Sequence, residues 1–226
     1  MTAKPLIHMT ILFGILVLMR NVRAEGEVWN GLPHFEQREL LAGKTVEFEE
    51  NVDAGVWPRF IIYQMIKAPP AAVAAVFWNC EKDPEYIPNC TSVKILNSSQ
   101  PGVVNAEYTL SMPFFLPDEV YVSRNQLNKL SDHDYDIVWK VTQSRYSKSS
   151  IGSLRVEEHD GMSLIRYTNL VIPSSRFAGM LRSSAGKQVM ECVKALAAQV
   201  VLETEKNPAL LEKQIQALEG SAGKSR

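Results

Sequence analysis

Apolar and polar residues alternate along the middle of the chain, which is the pattern of strands that bury one face. The clearest case is Tyr135, Ile137, Trp139 and Val141, whose spacing of two puts all four side chains on one side of a strand. The other strand-like runs are residues 43–52, 60–66, 93–96, 103–112, 119–130, 151–158 and 162–171. Turn-forming residues separate these runs, and Asp160-Gly161 is typical of a tight hairpin. The pattern therefore predicts an antiparallel sheet of about seven strands, in which 43–52 and 60–66 could form a hairpin.

The period changes to that of a helix near the C-terminus. Val189, Cys192, Val193, Leu196 and Val200 recur at helical spacing, and charged residues occupy other positions. This predicts one long amphipathic helix that runs from Ser175 to about Glu205. Shorter helices are predicted near 35–41, at 71–78 and after Asn207-Pro208 through Leu218.

The order of these elements predicts an α+β fold. An amphipathic helix of this length needs an apolar face to cover, and a curved antiparallel sheet supplies one. A sheet wrapped around the helix leaves an apolar space between the two layers unless bulky side chains fill it. We expect one domain over residues 43–205, a leader segment over 25–42, and a short helix with a polar tail over 206–226.

Residues 1–24 have the pattern of a secretory signal peptide. Lys4 and His8 precede an uncharged apolar run from Met9 to Met19, and Val22-Arg23-Ala24 supplies small residues before a cleavage point. A run of this length is too short to cross ~30 Å of hydrocarbon, which needs ~20 helical residues. We therefore expect an exported protein, periplasmic or secreted, whose mature chain begins at Glu25. The alternative is an uncleaved membrane anchor.

Charge and motif content exclude several function classes. The chain has 24 lysines and arginines against 25 acidic residues, which argues against nucleic acid as a partner. His133 and His159 fall in turns, and we interpret both as solvated. The sequence contains neither a Gly-x-Ser-x-Gly elbow nor cysteines and histidines at zinc-ligand spacing. We therefore predict no catalytic residue, no metal and no cofactor.

Three cysteines bear on the export prediction. Cys80 and Cys90 flank a short turn segment, so in an exported protein they are candidates for a disulfide. The alternative is two buried free thiols. Cys192 lies on the apolar face of the long helix, and we interpret it as a packing residue.

The segment IKAPPAAVAAVFWNCEKDPEYIPNCTSVKIL, residues 66–96, resembles the opening of helix-grip proteins. These form the START-like or SRPBCC superfamily, which includes the polyketide cyclase/dehydrase-like proteins and the coenzyme Q-binding START-like proteins. The carrying features are the Ala-Pro-Pro break after a strand, the short helix with Val73 and Phe77-Trp78, and the segment with Asp83, Tyr86 and Pro88. The resemblance covers roughly residues 43–205 and implies a helix-grip fold with a cavity for a lipid, sterol, quinone or similar molecule.

Side chains that face such a cavity are candidates for ligand contact. We predict Tyr108, Leu110, Met112, Arg124, Trp139, Tyr167, Val189, Val193 and Leu196. Arg124 shares a face with Val120 and Val122, so it could bind an acidic headgroup if that face points inward. The alternative is a structural ion pair with Glu107 or another carboxylate.

The loop Pro113-Phe-Phe-Leu-Pro117 is unusually apolar for a loop in water. We predict that Phe114, Phe115 and Leu116 form an entry lip or touch a membrane transiently. The alternative is a loop folded onto the body of the protein.

Three functional hypotheses follow. The preferred one is an exported START-like protein that carries or senses an apolar ligand. The second is an enzyme of the polyketide cyclase/dehydrase type, which requires polar side chains that converge in the cavity. The third is an envelope interaction module with a filled core, which binds another protein through the leader or the C-terminal helix.

Overall fold

The computed structural model describes residues 26–52, 57–112, 116–174 and 182–222, with the side chains of 97–99 excepted. The predicted signal peptide, Phe114, Phe115 and the first turns of the predicted long helix lie outside these residues. The helices are α1 (Glu27–Asn30), α2 (His34–Leu41), α3 (Pro70–Trp78), α4 (Asp83–Tyr86), α5 (Arg182–Lys206) and α6 (Pro208–Ser221), and a single 3-10 turn, Cys80–Lys82, precedes α4. The strands are β1 (Val46–Glu50), β2 (Arg59–Ile66), β3 (Cys90–Gln100), β4 (Val103–Leu110), β5 (Glu119–Ser131), β6 (Asp134–Ser144), β7 (Ser147–His159) and β8 (Met162–Pro173).

The eight strands form one antiparallel sheet in the order β1-β2-β8-β7-β6-β5-β4-β3. Strands β3 to β8 are a meander, and β2 pairs with β8 to bring the start of the domain beside its last strand. The predicted hairpin of β1 and β2 is present, with Val46 opposite Tyr63. The α+β helix-grip prediction is confirmed, with eight strands in place of about seven.

Two strand boundaries differ from the prediction. β3 runs from Cys90 to Gln100, well past the predicted 93–96, because its polar second half still pairs with β4 through irregular register. β7 begins at Ser147 because its serine-rich start pairs with the end of β8. Backbone pairing supplies hydrogen bonds whatever the side chains are, so a polar run can extend a strand that its pattern does not reveal.

The core lies between the concave face of the sheet and helices α3, α5 and α6. Strand alternation places Ile62, Ile137, Leu154 and Ile165 on this inner face, and each is fully buried. From α5, Val193, Leu196 and Val200 pack against them. α3 is buried on most sides, from Ala72 to Val76, because it sits between the sheet and α6.

The leader packs on the outer, convex face of the same sheet. Val28, Trp29, Leu32 and Leu40 form a second apolar cluster with Leu164 and with outward side chains of β1 and β2. Trp29 stacks on His159 with ring centroids 3.8 Å apart. The prediction of a solvated His159 is therefore wrong, because a leader helix covers the turn that carries this side chain, which is 10% exposed.

The C-terminal helix α6 completes one end of the core. Leu211 and Leu218 are buried against α3 and the sheet. Glu219 accepts hydrogen bonds from Tyr135 Oη at 2.9 Å and from Lys129 Nζ at 2.5 Å. Segments that fall outside the family resemblance thus belong to the folded body. Among the described helices, none combines the length and apolarity needed to cross a membrane.

Candidate functional site

An aromatic lining covers the middle of the concave face. Tyr167 lies opposite the buried residues Ile62 and Leu154, which places its side chain inward. Trp139 is 5.1 Å from Tyr167 and 5.7 Å from Phe77 of α3, measured between ring centroids. The sheet and α3 thus present a continuous aromatic surface towards α5.

Tyr108 and Tyr121 extend this lining onto β4 and β5. Their rings stack 4.9 Å apart and nearly parallel, because the two residues are direct cross-strand partners. Burial raises the pKa of the hydroxyls of Tyr108, Tyr121 and Tyr167 well above the ordinary range. Each side chain nevertheless keeps some accessible surface. These three tyrosines therefore combine dense surroundings with residual exposure on the concave side of the sheet.

A polar cluster borders this lining at Asp83, the first residue of α4. Tyr86 Oη donates to Asp83 Oδ1 at 2.8 Å, and the Tyr108 hydroxyl interacts with both the Asp83 carboxyl and the Cys80 thiol. Burial raises the pKa of Asp83 to about 7, although both tyrosine hydrogen bonds favour its charged form and act in the opposite direction. The interior therefore contains one carboxyl that can change protonation state near neutral pH.

All three thiols lie near this carboxyl. Burial, aided by the Asp83 charge, raises the pKa of Cys80 and of Cys90 to about 11 and that of Cys192 to about 12. Thiols with such pKa values stay protonated at neutral pH and are poor nucleophiles. Cys80 and Cys90 are free and buried, so the structure has the alternative state of these residues and not the disulfide.

Eight of the nine predicted ligand-contact residues divide into three groups. Tyr108, Leu110, Trp139 and Tyr167 lie on the inner face of the sheet, and Val189 is half-buried on α5. Val193 and Leu196 are packed into the core, with 1% and 2% of their surface exposed. Met112 follows the end of β4 and is half-buried.

The prediction that Arg124 contacts a ligand in the interior is wrong. This residue is exposed on the convex face, where Nη2 donates to Gln100 Oε1 at 3.2 Å. Neither an inward role nor an ion pair with Glu107 is found. The prediction took the side of Val120 for the buried one, but Val120 is 37% exposed and the opposite side, with Tyr121 and Ser123, faces inward. Alternation reveals that a strand has two faces without identifying the buried one.

Sequence reasoning missed Tyr121, Asp83 and Tyr86 as interior residues. Asp83 and Tyr86 were interpreted as part of a turn, whereas they occupy one helical turn and bond each other. Their spacing of three was the available signal, because residues three apart are neighbours on a helix. Asn169 was missed as well. It shares the inner face with Tyr167, and its Oδ1 atom is buried without a hydrogen-bond partner.

Two further features lie at the margins of the interior. An open groove of about 630 Å³ separates β1 from the first half of α5, and charged residues of both signs line it, including Arg182 and Glu49 at 2.6 Å. In the apolar loop, Leu116 is half-buried, and the next residue, Pro117, accepts a hydrogen bond from Tyr146 Oη at 2.9 Å. Membrane contact through this loop stays a prediction.

The described residues contain no group of side chains arranged to hold a metal ion.

The sequence and the fold were compared with those of known proteins. A family described as polyketide cyclase / dehydrase and lipid transport matches residues 66–194. A STAR-related lipid transfer protein fragment from Xanthomonas axonopodis is similar in structure, with a TM-score of 0.62, 13% identity, and coverage of 69% of this chain and 93% of that chain. Human STARD10 has a TM-score of 0.54 and 12% identity, with coverage of 81% and 89%. An aromatase/cyclase from a Streptomyces species has a TM-score of 0.53 and 12% identity, with coverage of 65% and 94%. No curated protein matches the sequence. At these identities the structural likeness shows the fold alone.

Proposed function

Because the chain belongs to the polyketide cyclase / dehydrase and lipid transport family of START-like proteins, we propose that it binds an apolar small molecule between the concave sheet and α5. A lipid, a sterol, an isoprenoid quinone or a molecule of similar character fits this proposal. Binding and transfer of the ligand, without chemical change, is the function that the interior favours.

One observation carries the proposal. Tyr108, Tyr121, Trp139 and Tyr167 share the concave side of the sheet, and each keeps part of its side chain accessible. Aromatic surface exposed in an interior is stabilised when an apolar molecule covers it, by about 25 cal/mol per Å² of apolar area removed from water. Losses of motional freedom on association offset part of this gain, so the shape of the space matters more than its area.

Two experiments test the proposal. Mass spectrometry of an organic extract, made from protein purified from its native source, is expected to reveal a bound apolar compound. In a second experiment the neutral dye Nile red should fluoresce on binding, and Tyr167→Leu should weaken this binding severalfold. Tyr63→Leu is the matched control, because Tyr63 packs beside Phe48 on the convex side of the sheet. Absence of a compound in the extract, together with no dye binding, would refute the function.

Export is the second part of the proposal. The pattern of residues 1–24 supports it, and so does the position of the first packed residues. Cleavage after Ala24 leaves Gly26 and α1 intact, and Val28 N donates to Glu157 Oε2 at 3.0 Å. The domain would therefore keep its leader contacts after processing. Mass measurement of the mature protein, with cell fractionation, checks this: an intact N-terminus in the cytoplasmic fraction contradicts it.

An enzyme of the cyclase/dehydrase type is the second candidate function. Asp83, with a pKa of about 7, sits between the hydroxyls of Tyr86 and Tyr108, and a carboxyl poised near neutrality suits general acid–base catalysis. If this function holds, the protein converts a linear polyketone into a cyclised product, and Asp83→Asn abolishes turnover. Liquid chromatography with mass spectrometry tests whether a cyclised product forms. Recovery of unchanged substrate would count against catalysis.

A further inference from the structure

We propose that the polar end of the bound molecule is a hydrogen-bond donor, a hydroxyl or an amine, held at Asp83, and that the interior rejects carboxylates and phosphates. This inference rests on the proposed binding function and narrows the class of ligand. It is based on the charges of the groups that surround the aromatic lining and on the hydrogen bonds that these groups can still form.

The described residues place no positive charge beside the aromatic lining. Arg124, Arg155 and Arg166 lie on strand positions that face the convex side. Lys129 occupies the closed end of the sheet, where Glu219 pairs with it. Arg182, Lys187 and Lys194 of α5 line the outer groove instead. An anionic headgroup would therefore find no counter-ion beside the tyrosines, and an unpaired buried charge is strongly unfavourable.

Two acceptor groups of the interior, the carboxylate of Asp83 and the amide oxygen of Asn169, have hydrogen-bonding capacity to spare. A carboxylate has about four lone-pair sites, and Tyr86 donates one hydrogen bond to Asp83 while the Tyr108 hydroxyl interacts with the same group. The remaining sites can accept from a ligand. Asn169 adds a second acceptor, because its Oδ1 atom is buried without a partner. The hydroxyls of Tyr121 and Tyr167 can donate or accept, so they do not discriminate between ligands.

Lys82 precedes Asp83 but pairs with Glu85 at the surface, and the other groups around Asp83 are neutral or acidic. Those within its electrostatic reach on the neighbouring elements are Cys80, Tyr86, Cys90, Tyr108, Tyr121, Tyr167 and Cys192. Burial raises the pKa of every one of them, so all stay uncharged near neutral pH. Glu203 of α5 lies within electrostatic reach of Tyr86 and is itself buried. A second negative charge placed here is repelled, whereas a donor is attracted.

The test uses ligands that share one apolar chain and differ in headgroup. Dodecanol, dodecylamine and dodecanoate compete with Nile red for the full-length protein, one pH unit above the Asp83 pKa of about 7. We expect dodecanol and dodecylamine to displace the dye at concentrations about tenfold lower than dodecanoate, the factor that one pKa unit of differential interaction represents. One pH unit below that pKa, where Asp83 is mostly protonated, the disadvantage of dodecanoate should shrink.

Two variants assign the selectivity to the carboxyl. Asp83→Asn removes the charge and keeps the side-chain size, so it should reduce the difference between dodecanoate and dodecanol at both pH values. Glu85→Gln is the matched control, because Glu85 lies on the same short helix, is exposed and pairs with Lys82 at the surface. That variant should keep the selectivity of the unmodified protein.

Each outcome has one meaning. Dodecanoate that displaces the dye as well as dodecanol does, at both pH values, overturns the inference and leaves the binding function intact. Selectivity of undiminished size in Asp83→Asn also overturns it, because the carboxyl then adds nothing to the cost that the missing counter-ion already imposes on an anion. Failure of Nile red and of all three ligands to bind refutes the binding function itself. The pH comparison uses the unmodified protein, so it decides even if Asp83→Asn fails to fold.

Discussion

Asp83 should make the protein less stable as the pH rises through neutrality. Its pKa is 3.8 in a solvent-exposed chain and about 7 in the folded protein. The folded state thus holds a proton that the unfolded state releases between these values. Because the folded pKa is raised, the stabilisation is fully present below about pH 4 and is lost as the pH passes through about 7.

The size of this effect follows from the shift. About three pKa units, at 1.36 kcal/mol each, correspond to about 4 kcal/mol of unfolding free energy. The free energy of unfolding should therefore fall by up to about 1.4 kcal/mol per pH unit across this window from Asp83 alone. Asp83→Asn does not titrate, so its stability relative to the unmodified protein should rise by about 4 kcal/mol between about pH 4 and about pH 8.

Urea denaturation followed by tryptophan fluorescence measures this difference. The unmodified protein and Asp83→Asn are compared at several pH values, and Glu85→Gln reports the effect of removing an exposed carboxyl from the same helix. Altered hydrogen bonds to the amide add an offset that does not depend on pH. The test is therefore the change with pH in the difference in unfolding free energy between the two proteins. A stability difference that stays constant from about pH 4 to about pH 8 would show that Asp83 is ionised in the folded protein, and the account of the polar cluster would then be wrong.

Three further predictions concern packing, and urea denaturation checks each. Trp29→Ala removes a buried indole that joins the leader to the sheet and should lower the unfolding free energy by about 3–5 kcal/mol; an unchanged value would mean that the leader does not dock. Gly152→Ala places a methyl group 2.2 Å from Trp139 Cζ2, so we expect a loss of about 1–3 kcal/mol and a shift in tryptophan emission; neutrality would contradict this close packing. Leu218→Ala should cost about 2–5 kcal/mol, whereas Leu210→Ala on the exposed side of α6 should stay within about 0.5 kcal/mol; equal effects would refute the docking of α6.

The sequence was informative where pattern and turn chemistry agree. β6 was predicted from a spacing of two, and it runs through Tyr135 and Ile137 as an inward-facing strand. The hairpin at Asp160-Gly161 is present, and both residues have positive φ, as such a turn requires. α5 carries the predicted apolar stripe against the sheet. Each of these predictions depends only on residues that are close together along the chain.

The candidate site was less accessible to the same reasoning. Tyr108, Trp139 and Tyr167 were placed on faces that prove to be inward. Arg124 was placed on the wrong side of the sheet, because the two faces of β5 are similarly mixed in character. Asp83 carried no local mark of burial, since its surroundings come from several elements that are distant in sequence.

The sequence by itself determined the elements, their order and the family to which the chain belongs, because periodicity, turns and motifs are local properties. Only the tertiary structure decided which face of each strand became the interior. It also decided that the leader covers the convex side and that α6 closes one end of the core. These outcomes depend on pairing between distant segments, such as β2 with β8, and burial is defined only once such pairs have formed. For the same reason the raised pKa of Asp83 is a property of the assembled interior.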